Sequence, residues 1–110
     1  MRDRSQVGSR IEVRYFEGCP NHERLIARLE PLLGRESITA EVVMREIHDA
    51  DEAERERFPG SPSVRVDGHD IDPGAAERTD YGMKCRVYRT ADGLGGLPPD
   101  EWLLRALGAG

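Results

Sequence analysis

Apolar and polar residues change period several times along this chain, and each change marks a predicted element. Ile11, Val13 and Tyr15 alternate with Glu12, Arg14 and, at the C-terminal end, the aromatic Phe16, which predicts a first strand. From Pro20 to Leu33 the spacing lengthens. Leu25, Ile26, Leu29, Leu32 and Leu33 gather on one face of a helix, with Glu23, Arg24, Arg28 and Glu30 on the other. Gly34 is the expected stop, and Pro31 removes a backbone hydrogen bond near the end, which predicts a bent last turn. Residues 38–47 carry Thr39, Val42, Val43 and Ile47, a β-branched composition that predicts a second strand mostly covered by its neighbours. The β-α-β unit so formed calls for two parallel strands joined by a right-handed crossover, with the helix on one face.

Asp49 to Arg57 reads as a short, highly charged helix capped by Asp49, with Phe58 plugging the core behind it. Val64 and Val66 then alternate with Ser63, Arg65 and Asp67, and Asp67-Gly68 is a strong hairpin signal. Pro62 stands at the very start of that strand, where no internal ladder donor is lost. His69 to Ile71 predicts a short fourth strand, and residues 72–84 a long loop. Cys85, Arg86 and Val87 alternate as in a strand, and residues 92–97 form a glycine-rich flexible joint without the Gly-x-Gly-x-x-Gly pattern of a phosphate site. Pro98 and Pro99 open a final helix with Asp100 and Glu101 in its first turn, Trp102, Leu103, Ala106 and Leu107 inward, and Gly108 as its stop. The order is β-α-β-α-β-β-α, an α/β class with a central mixed sheet and a long loop before the C-terminal segment. Residues 11–107 are the expected domain, and residues 1–10 a flexible polar tail.

Length and charge narrow this picture. A chain of 110 residues supports one domain with one core. A charged fraction of 34% with a net charge of -5 predicts a solvated, mildly acidic surface and argues against nucleic acid as a partner. No apolar run approaches the roughly 18 to 20 residues of a membrane span, and the N-terminal residues lack a signal-peptide core, so a cytoplasmic protein is expected. Two cysteines make no disulfide scaffold; in a reducing compartment such a pair is catalytic, metal-binding or merely buried. No cofactor is expected, and composition leaves the oligomeric state open.

The chemistry centres on Gly18-Cys19-Pro20-Asn21-His22, where the first strand hands over to the first helix. With Pro20 at the first helical position, Cys19 falls at the N-cap, where the helix dipole favours a thiolate over the free thiol, whose pKa is about 8.5. The alternative is a buried, inert thiol at a strand end. His22, three residues on, shares a helix face with Cys19 and is a candidate to stabilise the thiolate or take its proton, unless it simply faces solvent. His48 and His69 are expected at the surface. Cys85 either returns to the sheet edge that carries Cys19 or lies at the opposite end. A disulfide needs Cα atoms about 4.4 to 6.8 Å apart, so only the first placement permits a redox pair.

A Cys-x-x-x motif at a strand-to-helix junction, followed by Ser61-Pro62 leading into a short strand and hairpin, resembles the thioredoxin-like superfamily over residues 11–107. The resemblance implies that Cys19 matches the first active-site cysteine and Pro62 a cis-proline facing it, with Ser61 and Pro62 binding substrate. Where dithiol members have their second cysteine this chain has His22, giving Cys-Pro-Asn-His, so the implied catalytic set is Cys19, Cys85 and His22. The runs Tyr15 to Asn21 and Gly82 to Arg89 also look like small thioredoxin-like proteins labelled alkylmercury lyase-related. Three functions follow. In the first, Cys19 attacks a disulfide, on a small-molecule thiol or a protein, and Cys85 or an external thiol resolves the mixed disulfide. In the second, Cys19 and Cys85 act as paired thiolates on a soft metal, with His22 or His69 nearby, and Asp80, Asp67 or Glu17 supplies the acid for organomercurial cleavage. The third is a non-catalytic binding module. No resident metal site is assigned.

Overall fold

The computed structural model describes residues 9–108, and their architecture follows from one strongly two-faced sheet. The chain runs through β1 (Ser9–Tyr15), α1 (Asn21–Arg35), β2 (Ala40–Glu46), α2 (Ala50–Arg55), β3 (Ser63–Val66), β4 (His69–Asp70), a 3-10 turn (Ala75–Glu77), β5 (Tyr88–Thr90), β6 (Gly93–Gly95) and α3 (Asp100–Ala106). Four strands form a mixed sheet in the order β2-β1-β3-β4. β1 is parallel to β2 and antiparallel to β3, and β3 is antiparallel to β4. The protein is thus α/β, a mixed four-stranded sheet with three helices.

Side chains alternate across β1, and the two faces meet different partners. Ile11 and Val13 face Val66 and Val64 across the antiparallel ladder and bury against Leu25, Leu29, Leu32 and Leu33 of α1 and Leu103 of α3. Glu12 and Arg14 project to the other side, where Arg14 pairs with Glu12 and with Glu56 just past α2. Arg65, opposite Glu12 in the ladder, donates to the carbonyls of Glu56 and Arg57. A second, smaller apolar cluster of Ile47, Ala53 and Phe58, with Phe16 and Met83 against it, closes the α2 side. Asp49 caps α2 by accepting the Glu52 N–H at 2.8 Å.

Several expectations are corrected. Residues 1–8 of the expected tail lie outside the described residues, whereas Ser9 and Arg10 already pair with Ala40 and Glu41 in β1. β2 is an edge strand and not a covered one. Val42 and Met44 are 41% and 42% exposed, because β1 flanks β2 on one side only. α1 continues through Pro31 and Gly34 to Arg35; the apolar face buried on the sheet outweighs the single backbone bond that Pro31 removes. The reversal falls instead at Ser37, with φ of 54°. The glycine-rich joint is half of a two-stranded sheet in which β6 pairs antiparallel with β5, and the strand expected at residues 85–87 begins only at Tyr88. Gly93, at φ of 110°, supplies the left-handed conformation that this tight hairpin needs.

Candidate active site

Cys19 stands one residue earlier than the cap. α1 begins at Asn21, and Pro20 holds the cap position with helical dihedrals (φ -78°, ψ -6°) and no side-chain capping bond. Proline's ring sets φ near the helical value, so the cap closes on Pro20 and not on Cys19. The Cys19 N–H instead closes a turn onto the Phe16 carbonyl at 3.2 Å. Its Sγ donates weakly to the Ser61 carbonyl at 3.5 Å. Cys19 is fully buried, with 0% exposure, while Cys85 is exposed; both are free thiols.

The structure brings the two sulfurs together. Cys85 Sγ lies 2.7 Å from Cys19 Sγ, across 66 residues of sequence. A disulfide bond is about 2.05 Å long, so less than 1 Å of approach separates this contact from a covalent bond. The Cys85 thiol is pushed above its ordinary pKa, first by its contact with the Cys19 sulfur, then by partial burial and by the charge of Cys19.

Residues 82–88 form a strap that places Cys85. They run parallel to residues 58–62, joined through an isolated bridge between Ser61 and Cys85. Gly82 donates to the Phe58 carbonyl, Ser61 to the Lys84 carbonyl at 2.8 Å, and Arg86 to the Ser61 carbonyl at 2.9 Å. The Tyr88 hydroxyl donates to the Pro62 carbonyl at 2.6 Å. Close approach depends on Gly60, where φ is +135° and an added Cβ would fall 2.9 Å from both Cα and Cβ of Arg86. Below the strap Arg86 is a completely buried cation, its side chain 0% exposed. Its Nη1 reaches Asp70 at 2.8 Å and Ser63 Oγ at 2.9 Å, and its Nη2 reaches Asp70 at 3.2 Å and Asp72 at 3.1 Å. The guanidinium also sits 4.6 Å from the Tyr88 ring centroid, and Nε has no hydrogen-bond partner. Two carboxylates in a forked geometry compensate the buried charge, so the strap is tied to β4 and to the residues after it.

The other candidate residues take more indirect positions. His22 is buried and stacks on Tyr15, with ring centroids 4.3 Å apart. Its Nδ1 lies 2.7 Å from the Cys19 carbonyl, which only accepts, so Nδ1 carries a proton and the ring braces the Cys19 backbone. No hydrogen bond joins the ring to the sulfur among the described residues. His22 is therefore neither the solvent-facing residue nor the direct sulfur partner that the sequence offered. The Ser61-Pro62 peptide bond is cis and lies against Cys19, yet both residues are buried and their backbone groups are taken by the strap. They form the inner wall of the site, not an open substrate edge. Among the acid candidates, Asp80 is held well below the usual carboxylate range by hydrogen bonds from Arg78 and Lys84, which keeps it a poor proton donor. Asp67 accepts the Arg10 N–H, and Glu17 is exposed. His48 and His69 are exposed as expected. Among the described residues, no group of three or more His, Cys, Asp or Glu side chains converges as a metal-ligand set.

Sequence reasoning passed over Arg86, Asp70, Asp72 and Gly60. The alternation at residues 85–88 is inverted, with Cys85 and Val87 outward and Arg86 and Tyr88 inward. The signal for that inversion was the spaced acid pair Asp70 and Asp72, which only matters once it faces a cation.

No family model matches this chain, and no curated protein and no solved structure matches it significantly. No helix among the described residues is long and apolar enough to cross a membrane.

Proposed function

We propose that this is a thioredoxin-like thiol-disulfide exchange protein in which Cys19 and Cys85 cycle between two thiols and one internal disulfide. The observation that carries the reading is the 2.7 Å contact between the Cys19 sulfur, in the turn between β1 and α1, and the Cys85 sulfur. The thioredoxin-like reading is supported by the strand order β2-β1-β3-β4, by a cysteine between β1 and α1, and by the cis Ser61-Pro62 bond beside it. Cys85 then takes the part that a second cysteine in the helix turn would play, and His22 becomes a brace for the Cys19 backbone. In exchange, one S–S bond forms for each one broken. An external disulfide accepts two electrons from the sulfurs and leaves as two thiols. We further propose a reducing, cytoplasmic setting, from the presence of two free cysteines without a disulfide scaffold.

Soft-metal chemistry is the weaker alternative. Two thiolates on a tetrahedral ion with metal–sulfur bonds of about 2.3 Å lie roughly 3.8 Å apart, so the sulfurs would have to separate to admit one. Organomercurial cleavage also needs an acid, and Asp80 is tied to Arg78 and Lys84.

The test is oxidation of the purified protein with glutathione disulfide, followed by thiol counting and intact mass. The free-thiol count is expected to fall from two to zero, with a mass loss of two hydrogens, since Cys19 and Cys85 are the only cysteines. Two free thiols after this treatment refute the exchange reading and leave a non-catalytic binding module.

A further inference from the structure

Access to the two sulfurs is unequal, and the inequality has a structural cause. Cys19 has 0% exposure, its sulfur set against the Ser61 carbonyl at 3.5 Å and the Cys85 sulfur at 2.7 Å, whereas Cys85, bridged to Ser61 by the strap, is exposed. The same strap uses the Ser61 N–H and carbonyl, bonding them to Lys84 and Arg86. An extended polypeptide has no free edge at Ser61 on which to align beside Cys19. A small thiol or disulfide needs no such edge; it needs only an open line to one sulfur.

Resting on the exchange reading above, we propose that small-molecule thiols and disulfides engage this pair at Cys85, with Cys19 as the buried sulfur that opens and closes the internal bond behind it. This inverts the order implied by the resemblance, in which Cys19 attacks first. In the reducing direction the thiolate of a small thiol attacks Cys85 Sγ. The Cys19–Cys85 bond breaks, its electron pair leaves on Cys19 Sγ, and a mixed disulfide joins Cys85 to the small thiol. A second small thiolate then attacks the sulfur of the bound thiol, the electron pair leaves on Cys85, and the products are one small disulfide and two protein thiols. The oxidising direction is the reverse of these steps.

Two measurements decide the order. In the first, Cys19→Ser and Cys85→Ser are each treated with glutathione disulfide and glutathionylation is followed by intact mass. Cys19→Ser, which keeps Cys85, is expected to react about tenfold faster than Cys85→Ser. Serine at position 85 keeps the backbone bonds of the strap, so the buried Cys19 stays covered. Equal rates, or faster reaction of Cys85→Ser, overturn the proposal. In the second, the oxidised wild-type protein is treated with glutathione, quenched with N-ethylmaleimide and peptide-mapped. Glutathione on Cys85 with maleimide on Cys19 supports the order, and glutathione on Cys19 overturns it. If wild-type protein forms no internal disulfide, the exchange reading fails by itself, and the single-cysteine rates still report which sulfur small disulfides reach. If a serine variant does not fold, the mapping decides.

Discussion

Arg86 Nη1 lies 2.8 Å from Asp70 Oδ2 in a site where the arginine side chain is wholly buried, so the residue beside Cys85 is anchored by charge and not by apolar packing. Removing one member of such a pair strands the other in a low-dielectric interior. Arg86→Met is expected to cost about 3 to 5 kcal/mol of unfolding free energy by urea titration, because Asp70 and Asp72 lose their common partner. Arg86→Lys keeps the charge but loses the fork, and is expected to fall between wild type and Arg86→Met. An Arg86→Met protein of wild-type stability would show that the ion pairs do not hold the strap.

Gly60 makes room for that strap. At φ of +135° any L side chain is strained, and the added Cβ meets the Arg86 backbone at 2.9 Å, where nothing flexible can yield. Gly60→Ala is expected to destabilise by about 1 to 3 kcal/mol from strain alone. It should also slow formation of the Cys19–Cys85 disulfide, because relief of the clash moves residues 85 and 86 outward. Thiol loss over time under a fixed glutathione disulfide concentration reads the second effect; an unchanged rate would mean that Cys85 is positioned without this contact.

The thiol of Cys85 is expected to titrate above an ordinary cysteine in the wild-type protein. The Cys19 sulfur lies 2.7 Å away, and Cys19 charge opposes a second thiolate. In Cys19→Ser the neighbouring charge is gone and the apparent pKa of Cys85 should fall towards the free value of about 8.5. Alkylation rate against pH, with the modified cysteine mapped, measures both. A Cys85 pKa that does not move on this substitution would contradict the influence of Cys19 on Cys85.

Glu52 governs part of the acid limb of stability. His48 donates to it through its backbone N–H at 2.8 Å and its ring at 3.0 Å, and Arg45 adds a longer contact, lowering its pKa to about 2. A carboxylate whose folded pKa is lowered stabilises the fold fully above its unfolded pKa, here about 4.5. That contribution is lost as pH falls through about 2. Glu52→Gln is therefore expected to unfold more easily at neutral pH and to show a flatter stability profile between about pH 4.5 and 2. Parallel urea titrations at several pH values compare the two slopes, and identical slopes would remove Glu52 from the acid response.

Local patterning in the sequence determined the α/β order of the central elements. The alternation at Ile11 and Val13, the leucine face of α1, the cap at Asp49 and the turn at Asp67-Gly68 all express burial or backbone preference within a few residues. The Cys19–Cys85 contact, the covering of Cys19 and the burial of Arg86 were decided only in three dimensions. Each depends on the route of the 72–84 segment, and that route is set by bonds from residues 82–88 to residues 58–62 and by two carboxylates on and beyond β4. Period alone misread residues 85–88 because a charge can face inward only where opposite charges already wait. It misread β2 for a related reason: β-branched composition favours a strand but does not specify its place in the sheet, and that place is an edge.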